Sequence, residues 1–185
     1  MGVSGAEEFW KWSLTHYARK DVETLLMQLQ DDFGFNVNIA LWCCWCAVHY
    51  QTTPELALRN AIDQTGKWNT NVTGPLREVR RFLKAHRATK ITAGEKLREQ
   101  VKQAELDAEK EEQSRLERLA ATALAPLGGG MEKRLEEQRN RARRNLAAYT
   151  ALIGAAKRNR FTVSLLEELI ESIFPMPPQK PANLE

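Results

Sequence analysis

No apolar run in this chain is long enough to cross a bilayer. The longest, Ile39–Val48, is about half of the roughly 20 residues that a membrane helix needs. Period-two alternation does not extend over any length, which argues against a fold built on sheets. No segment repeats itself. Net charge is only +3, so there is no global electrostatic case for a nucleic-acid partner. The three cysteines sit together at Cys43, Cys44 and Cys46. That pattern fits reduced thiols in a cytosol better than a disulfide framework. Met1–Trp10 has no basic n-region and reaches Glu7 and Glu8 before any apolar block, so no secretory signal is expected. Ala6 stands where myristoylation after Met1-Gly2 requires Ser or Thr. Asn71-Val72-Thr73 matches a glycosylation sequon, which without a secretory signal reads as chance. Tryptophan is absent from the second half. All five (Trp10, Trp12, Trp42, Trp45, Trp68) lie in the first 70 residues.

What is present is helical pattern. Ile39–Val48 lies in a chain of mean hydropathy −0.50, so it must be buried and its neighbours must wall it in. It reads as the central helix of a small all-α globule, capped by Asn36 or Asn38 and running to about Tyr50. The core candidates are Trp10, Trp42, Trp45, Cys43 and Cys46. Before it, Ala6–Ala18 is predicted helical, with Phe9, Trp10, Leu14 and Tyr17 at helical spacing. Asp21 is the expected cap of a second helix, Val22–Phe33, that Gly34 ends. After it, Thr53-Pro54-Glu55 opens a helix over Pro54–Gln64 that stops at Gly66. Trp68 starts another segment, which Gly74-Pro75 is expected to break or kink. Leu76–Arg87 continues, with Leu76, Val79, Phe82 and Leu83 inward and the basic residues outward.

Thr92-Ala93-Gly94-Glu95 reads as a capping box that opens a long helix to about Leu124. Its stripe is Leu97, Val101, Ala104, Ala108, Leu116, Leu119 and Ala123, interrupted by Glu111 and Glu112. Pro126 and Gly128-Gly129-Gly130 end it. Glu132–Lys157 is a second long helix, heptad-like, with Gln138 or Arg139 as a polar gap. Residues 95–118 carry eight acidic and six basic residues, and residues 131–160 nine basic and three acidic. A hairpin of the two places complementary charge side by side. It either lies back on the globule or pairs with a second copy. Ser164-Leu165-Leu166-Glu167 is read as the capping box of a short last helix that ends near Phe174. The expected organisation is a Trp-rich globule (6–90), the long hairpin plus short helix (91–174), and a Pro-rich disordered tail (175–185).

Several constellations have chemical potential. Cys43 and Cys46 form a Cys-x-x-Cys, but in mid-helix rather than at a helix N-terminus, so core packing is the better reading. With His49 they share a stripe to which His16 or His86 could add a fourth metal ligand, yet a structural zinc site draws on two knuckles. Neither metal nor cofactor is expected. Asp31-Asp32 and Glu7-Glu8 show no cleft or contrast of environment, as a catalytic pair requires. Ser13 and His16 are a chance pairing, and the triple glycine lacks the Lys and Ser/Thr of a phosphate loop. Arg77, Arg80, Arg81, Lys84 and Arg87 lie along one side of a helix, the clustering that polyanion contact needs. Pairing with the acidic run is the plainer account.

Phe9-Trp10-x-Trp12-Ser13-Leu14-x-x-Tyr17-Ala18, Leu29-Gln30-Asp31, Val37-Asn38 and Gly74-Pro75-Leu76-Arg77-x-x-Arg80-Arg81-x-Leu83-Lys84 together resemble an uncharacterised family of small proteobacterial proteins, a domain of unknown function. The resemblance covers about Phe9 to Leu119 and, more loosely, Asn145–Phe174. It implies a cytosolic bacterial helical protein and brings no activity, cofactor or catalytic residues. The triple cysteine is outside its pattern. The expectation is therefore a non-enzymatic helical interaction or scaffold protein in the cytoplasm, bound to a protein partner or to itself through the long helices. The alternative is an RNA- or ribosome-associated factor using residues 77–90 and 133–144. No membrane partner is expected.

Overall fold

A computed structural model describes residues 9–85, 92–128, 135–154 and 159–176, with side chains of the second stretch from Gly94 onward. Among these residues the order is α1 (Phe9–Tyr17), α2 (Lys20–Phe33), α3 (Val37–His49), α4 (Glu55–Trp68), a π-helical turn (Asn69–Thr73), α5 (Gly74–Ala85), α6 (Thr92–Ala123), α7 (Leu135–Leu152) and α8 (Arg160–Ile173). The fold is all-α.

The apolar run makes α3 the axis of the molecule. Every residue from Ile39 to Ala47 is buried. Asn36 caps the helix, its Oδ1 accepting from the Ile39 N–H at 3.1 Å. Gly34 ends α2 at φ 67°, a left-handed conformation that costs glycine little. The two long helices lie back on the globule, on different sides of α3. α7 makes its most extensive contact with α3, while α6 packs on α1, α3, α4 and α5; α8 closes against α2 and α7. One hydrophobic cluster takes Phe9, Leu26, Trp42, Leu116, Leu146, Leu169 and Phe174 together.

Directional bonds fix the register of this packing. Trp42 Nε1 donates to the Leu116 carbonyl at 2.9 Å. Asn145 Nδ2 and Arg141 Nε donate to the Cys43 and Ala47 carbonyls at 3.0 and 2.7 Å. Tyr149 Oη accepts from the Asn36 N–H at 2.8 Å. The ends of α3 and α6 are joined by an isolated antiparallel bridge between Tyr50 and Pro126.

Several sequence expectations change. Asp21 lies inside α2, whose N-cap is Arg19, and Pro54 rather than Thr53 occupies the N-cap of α4. α4 runs through Gly66 to Trp68. α7 ends at Leu152, and Gly154 follows at φ 122°. α8 starts four residues before Ser164: Asn159 Oδ1 caps it, accepting from the Thr162 N–H at 2.9 Å. Asn159 comes first in the chain, and its cap leaves the Ser164 hydroxyl to reach Glu168 instead, at 3.1 Å. The capping-box side chains Thr92 and Ala93, together with Ala6, Glu7, Glu8, His86, Arg87, Gly129, Gly130 and the tail beyond Met176, lie outside the described residues.

Gly74-Pro75 does not break the helix. The chain stays helical from Glu55 to Ala85, with one π turn inserted ahead of the proline. Proline lacks an N–H and its ring crowds the carbonyl four residues back. A π turn widens the helix there, and the Gly74 N–H bonds to the Asn69 carbonyl five residues back. Gly74 is needed for close approach rather than for an unusual φ. A Cβ on it would stand 2.7 Å from Asn69 O. Gly→Ala in an ordinary helix stabilises by about 1 kcal/mol. Gly74→Ala is expected to do the reverse, lowering stability by roughly 1–3 kcal/mol through overpacking, as a fall in the urea midpoint.

α5 is rotated from its expected orientation. None of its residues is buried: Val79 and Phe82 are 47% and 59% exposed, while Leu76 and Leu83 are half-buried. Arg77 and Arg80 face α6 instead. An apolar side points inward where a core faces it. α5 lies mainly against a charged stretch of α6, and there ion pairing sets the rotation.

Candidate functional site

The stripe that buries Ala120 and Leu116 continues backward along α6 by helical steps to Glu112, Ala108 and Glu105, and all five are buried. Two carboxylates therefore occupy the inward face, where burial costs a charge much unless it is compensated. Gln113, beside them, is buried as well. These polar residues form the floor of a cleft of about 690 Å³. α1 contributes Trp10, Ser13, Leu14 and Tyr17, and the α2–α3 junction contributes Phe35, Asn36 and Asn38. The π turn contributes Asn69 and Thr73, and α5 contributes Arg77, Arg80 and Arg81.

Compensation takes two forms. Toward α5 it is ionic. Arg77 Nε lies 3.1 Å from Glu105 Oε1 and its Nη2 3.0 Å from Glu109 Oε1. Arg80 holds Glu105 with both Nε and Nη2. Toward α3 it is neutral. Asn36 Nδ2 and Asn38 Nδ2 both donate to Glu112 Oε1, at 2.9 and 3.1 Å. Gln113 Nε2 donates to Asn38 Oδ1 at 2.8 Å, and the Ser13 hydroxyl to Gln113 Oε1 at 2.6 Å.

The two forms separate the carboxyls electrostatically. Burial pushes Glu105 up, but Arg80 and Arg77 outweigh it and hold the group below the usual carboxylate range. Burial dominates at Glu109 and Glu112, and both are raised. Arg77 opposes it at Glu109, and the Asn36 and Asn38 amides oppose it at Glu112.

Of the basic residues singled out in the sequence, Arg77 and Arg80 are thus internal ion-pair partners. Arg81 and Lys84 are exposed, Arg81 at the cleft rim. Arg87 lies outside the described residues. In the second basic stretch, Arg139 Nε reaches the Phe174 carbonyl at 3.0 Å, and Arg143 pairs with Glu167 at 2.7 Å. Trp42, Trp45, Cys43 and Cys46 are buried in the core. Trp10 is half-buried on the cleft wall, with Lys110 Nζ 5.9 Å from its ring centroid. Burial pushes all three thiols up, Cys44 to about 12. Among the described residues no group of three or more His, Cys, Asp or Glu is placed to hold a metal ion, and no helix is long and apolar enough to cross a membrane.

A family described as "Protein of unknown function (DUF2390)" matches residues 8–116, more than half of the chain. The chain belongs to this family. The DUF2390 segment contains every residue that lines the cleft, from Trp10 to Gln113. The blocks that carry the sequence resemblance supply Trp10, Ser13, Tyr17, Gln30, Asn38, Arg77, Arg80 and Arg81 to its walls. No curated protein and no solved structure matches the chain. Sequence reading missed Glu105, Glu112 and Gln113, whose one signal was the backward continuation of the Ala120–Leu116 stripe.

Proposed function

We propose that the chain is a non-enzymatic binding module of the cytosol, an interaction protein whose cleft between α1, α3 and the α5–α6 pair seats a ligand. The observation that carries this reading is the polar floor. Glu105, Glu112 and Gln113 are buried in a cleft of about 690 Å³, within the roughly 300–1,000 Å³ typical of ligand sites. An ordinary core places apolar side chains at such positions. The three unpaired, buried thiols fit a reducing compartment. The RNA- or ribosome-binding alternative has less support, because Arg77, Arg80 and Arg143 are engaged with carboxylates of the same chain. Self-association has support of its own in Val79, Phe82 and Leu97, which are exposed on α5 and α6.

The test is a saturation-transfer NMR screen of small polar compounds, followed by amide shift mapping. Hits are expected to move Ser13, Asn38, Thr73 and Gln113. Leu106 is 41% exposed and lines the cleft, so Leu106→Trp narrows the mouth without touching the core. It is expected to weaken those hits tenfold or more. Hits that map elsewhere and ignore Leu106→Trp would overturn the reading.

A further inference from the structure

We infer that the inner end of the cleft is a cation site whose occupant is a protonated primary amine, held by the Glu112 carboxylate; this rests on the cleft being a ligand site. Three carboxylates of α6 (Glu105, Glu109, Glu112) line the cleft, and among the described residues two of them have a guanidinium partner. Arg77 bridges Glu105 and Glu109, and Arg80 is on Glu105. Glu112 is left with neutral donors. Both of its amide partners bond Oε1, and the described residues supply Oε2 with no donor. The residue is only 2% exposed.

A second observation is independent of the carboxylates. Thr73 lines the same cleft from the π turn, is 1% exposed, and its buried Oγ1 has no hydrogen-bond partner among the described residues. A hydroxyl and a carboxylate oxygen without partners suit a group that has several N–H donors and no acceptor, as an ammonium has. A metal ion fits less well, since no cluster of three ligands exists among the described residues. Trp10, Tyr17 and Phe35 wall the cleft and offer the amine's stem apolar and π faces. Arg81 and Lys102 also line it, with Glu23 as one further carboxylate, so a neutral or anionic group suits the ligand's other end better than a second cation.

The probe is methylammonium, with sodium at equal ionic strength as reference. Carboxyl ¹³C NMR of the full chain follows the Glu112 titration, which Glu109, Arg77 and Tyr149 also influence. Methylammonium is expected to lower its midpoint by half a pH unit or more. Glu112→Gln keeps an acceptor for Asn36 and Asn38. It is expected to fold and to lose the methylammonium shifts at Asn38 and Thr73. Identical Glu112 titrations in the two salts would overturn the inference, as would an undiminished response in Glu112→Gln. Acetate and phenol separate the two levels of the argument. If either moves the cleft amides while methylammonium does not, the cleft stands as a ligand site and the cation assignment falls. If no probe moves them, both fall.

Discussion

Trp42→Ala is expected to lower stability by about 4–6 kcal/mol, a large fraction of the roughly 5–15 kcal/mol that keeps a domain folded. Trp42 is fully buried in the middle of α3. Truncating a buried Trp costs roughly 3–5 kcal/mol through lost transfer energy and the cavity left behind. The bond from its Nε1 to Leu116 O adds about 1 kcal/mol. Trp42→Phe separates the two contributions. It keeps most of the apolar volume and loses the donor, so a fall of roughly 1–3 kcal/mol is expected. Urea unfolding followed by far-UV circular dichroism measures both. A Trp42→Ala chain with an unchanged midpoint would mean that α3 is not the axis of the core.

Native thiols are expected to be almost silent toward Ellman's reagent. Cys43, Cys44 and Cys46 are at most 1% exposed. The reagent needs the thiolate, and with the Cys44 thiol at about 12 that form is on the order of one in 10⁴ at pH 8. Access requires opening of the core, whose free energy approaches that of global unfolding, so labelling is expected to slow on the order of 10⁴-fold or more. In urea all three should react at once. Fast labelling of any thiol in the native chain would place that side chain at a surface. Labelling rates across a urea series also report the opening free energy of α3 itself.

Much of the fold was legible because a few local signals are strong. Ile39–Val48 cannot be anything but buried in a polar chain of this length, and Gly34 and Asn36 bracket the turn before it. The orientation of α5 was not legible, because a sequence shows which side of a helix is apolar and not what faces it. Arg77 and Arg80 turn inward only because Glu105 and Glu109, some 25–32 residues later, stand opposite. The π turn was hidden for a related reason. Pro75 signals that a helix cannot continue regularly, and either a break or an extra residue in the turn satisfies that demand. The cleft floor was hardest to see. Glu112 counts against a buried stripe in any periodicity argument. It is tolerated because Asn36 and Asn38, more than 70 residues away in sequence, turn their amides toward it. Trp10 read as core because aromatic residues at helical spacing usually are; here its ring borders the cleft.

The end of the family match has a practical consequence. It stops at residue 116, yet the lid over the far side of α3 comes from Ala142, Leu146 and Tyr149 and from the α8 residues behind them. The matched span is therefore shorter than the span that shelters the central helix from water. A fragment trimmed to the matched span would keep every group of the cleft and strip the roof from the helix on which Asn36 and Asn38 ride. Expression trials meant to isolate the matched portion should carry the chain on through Phe174.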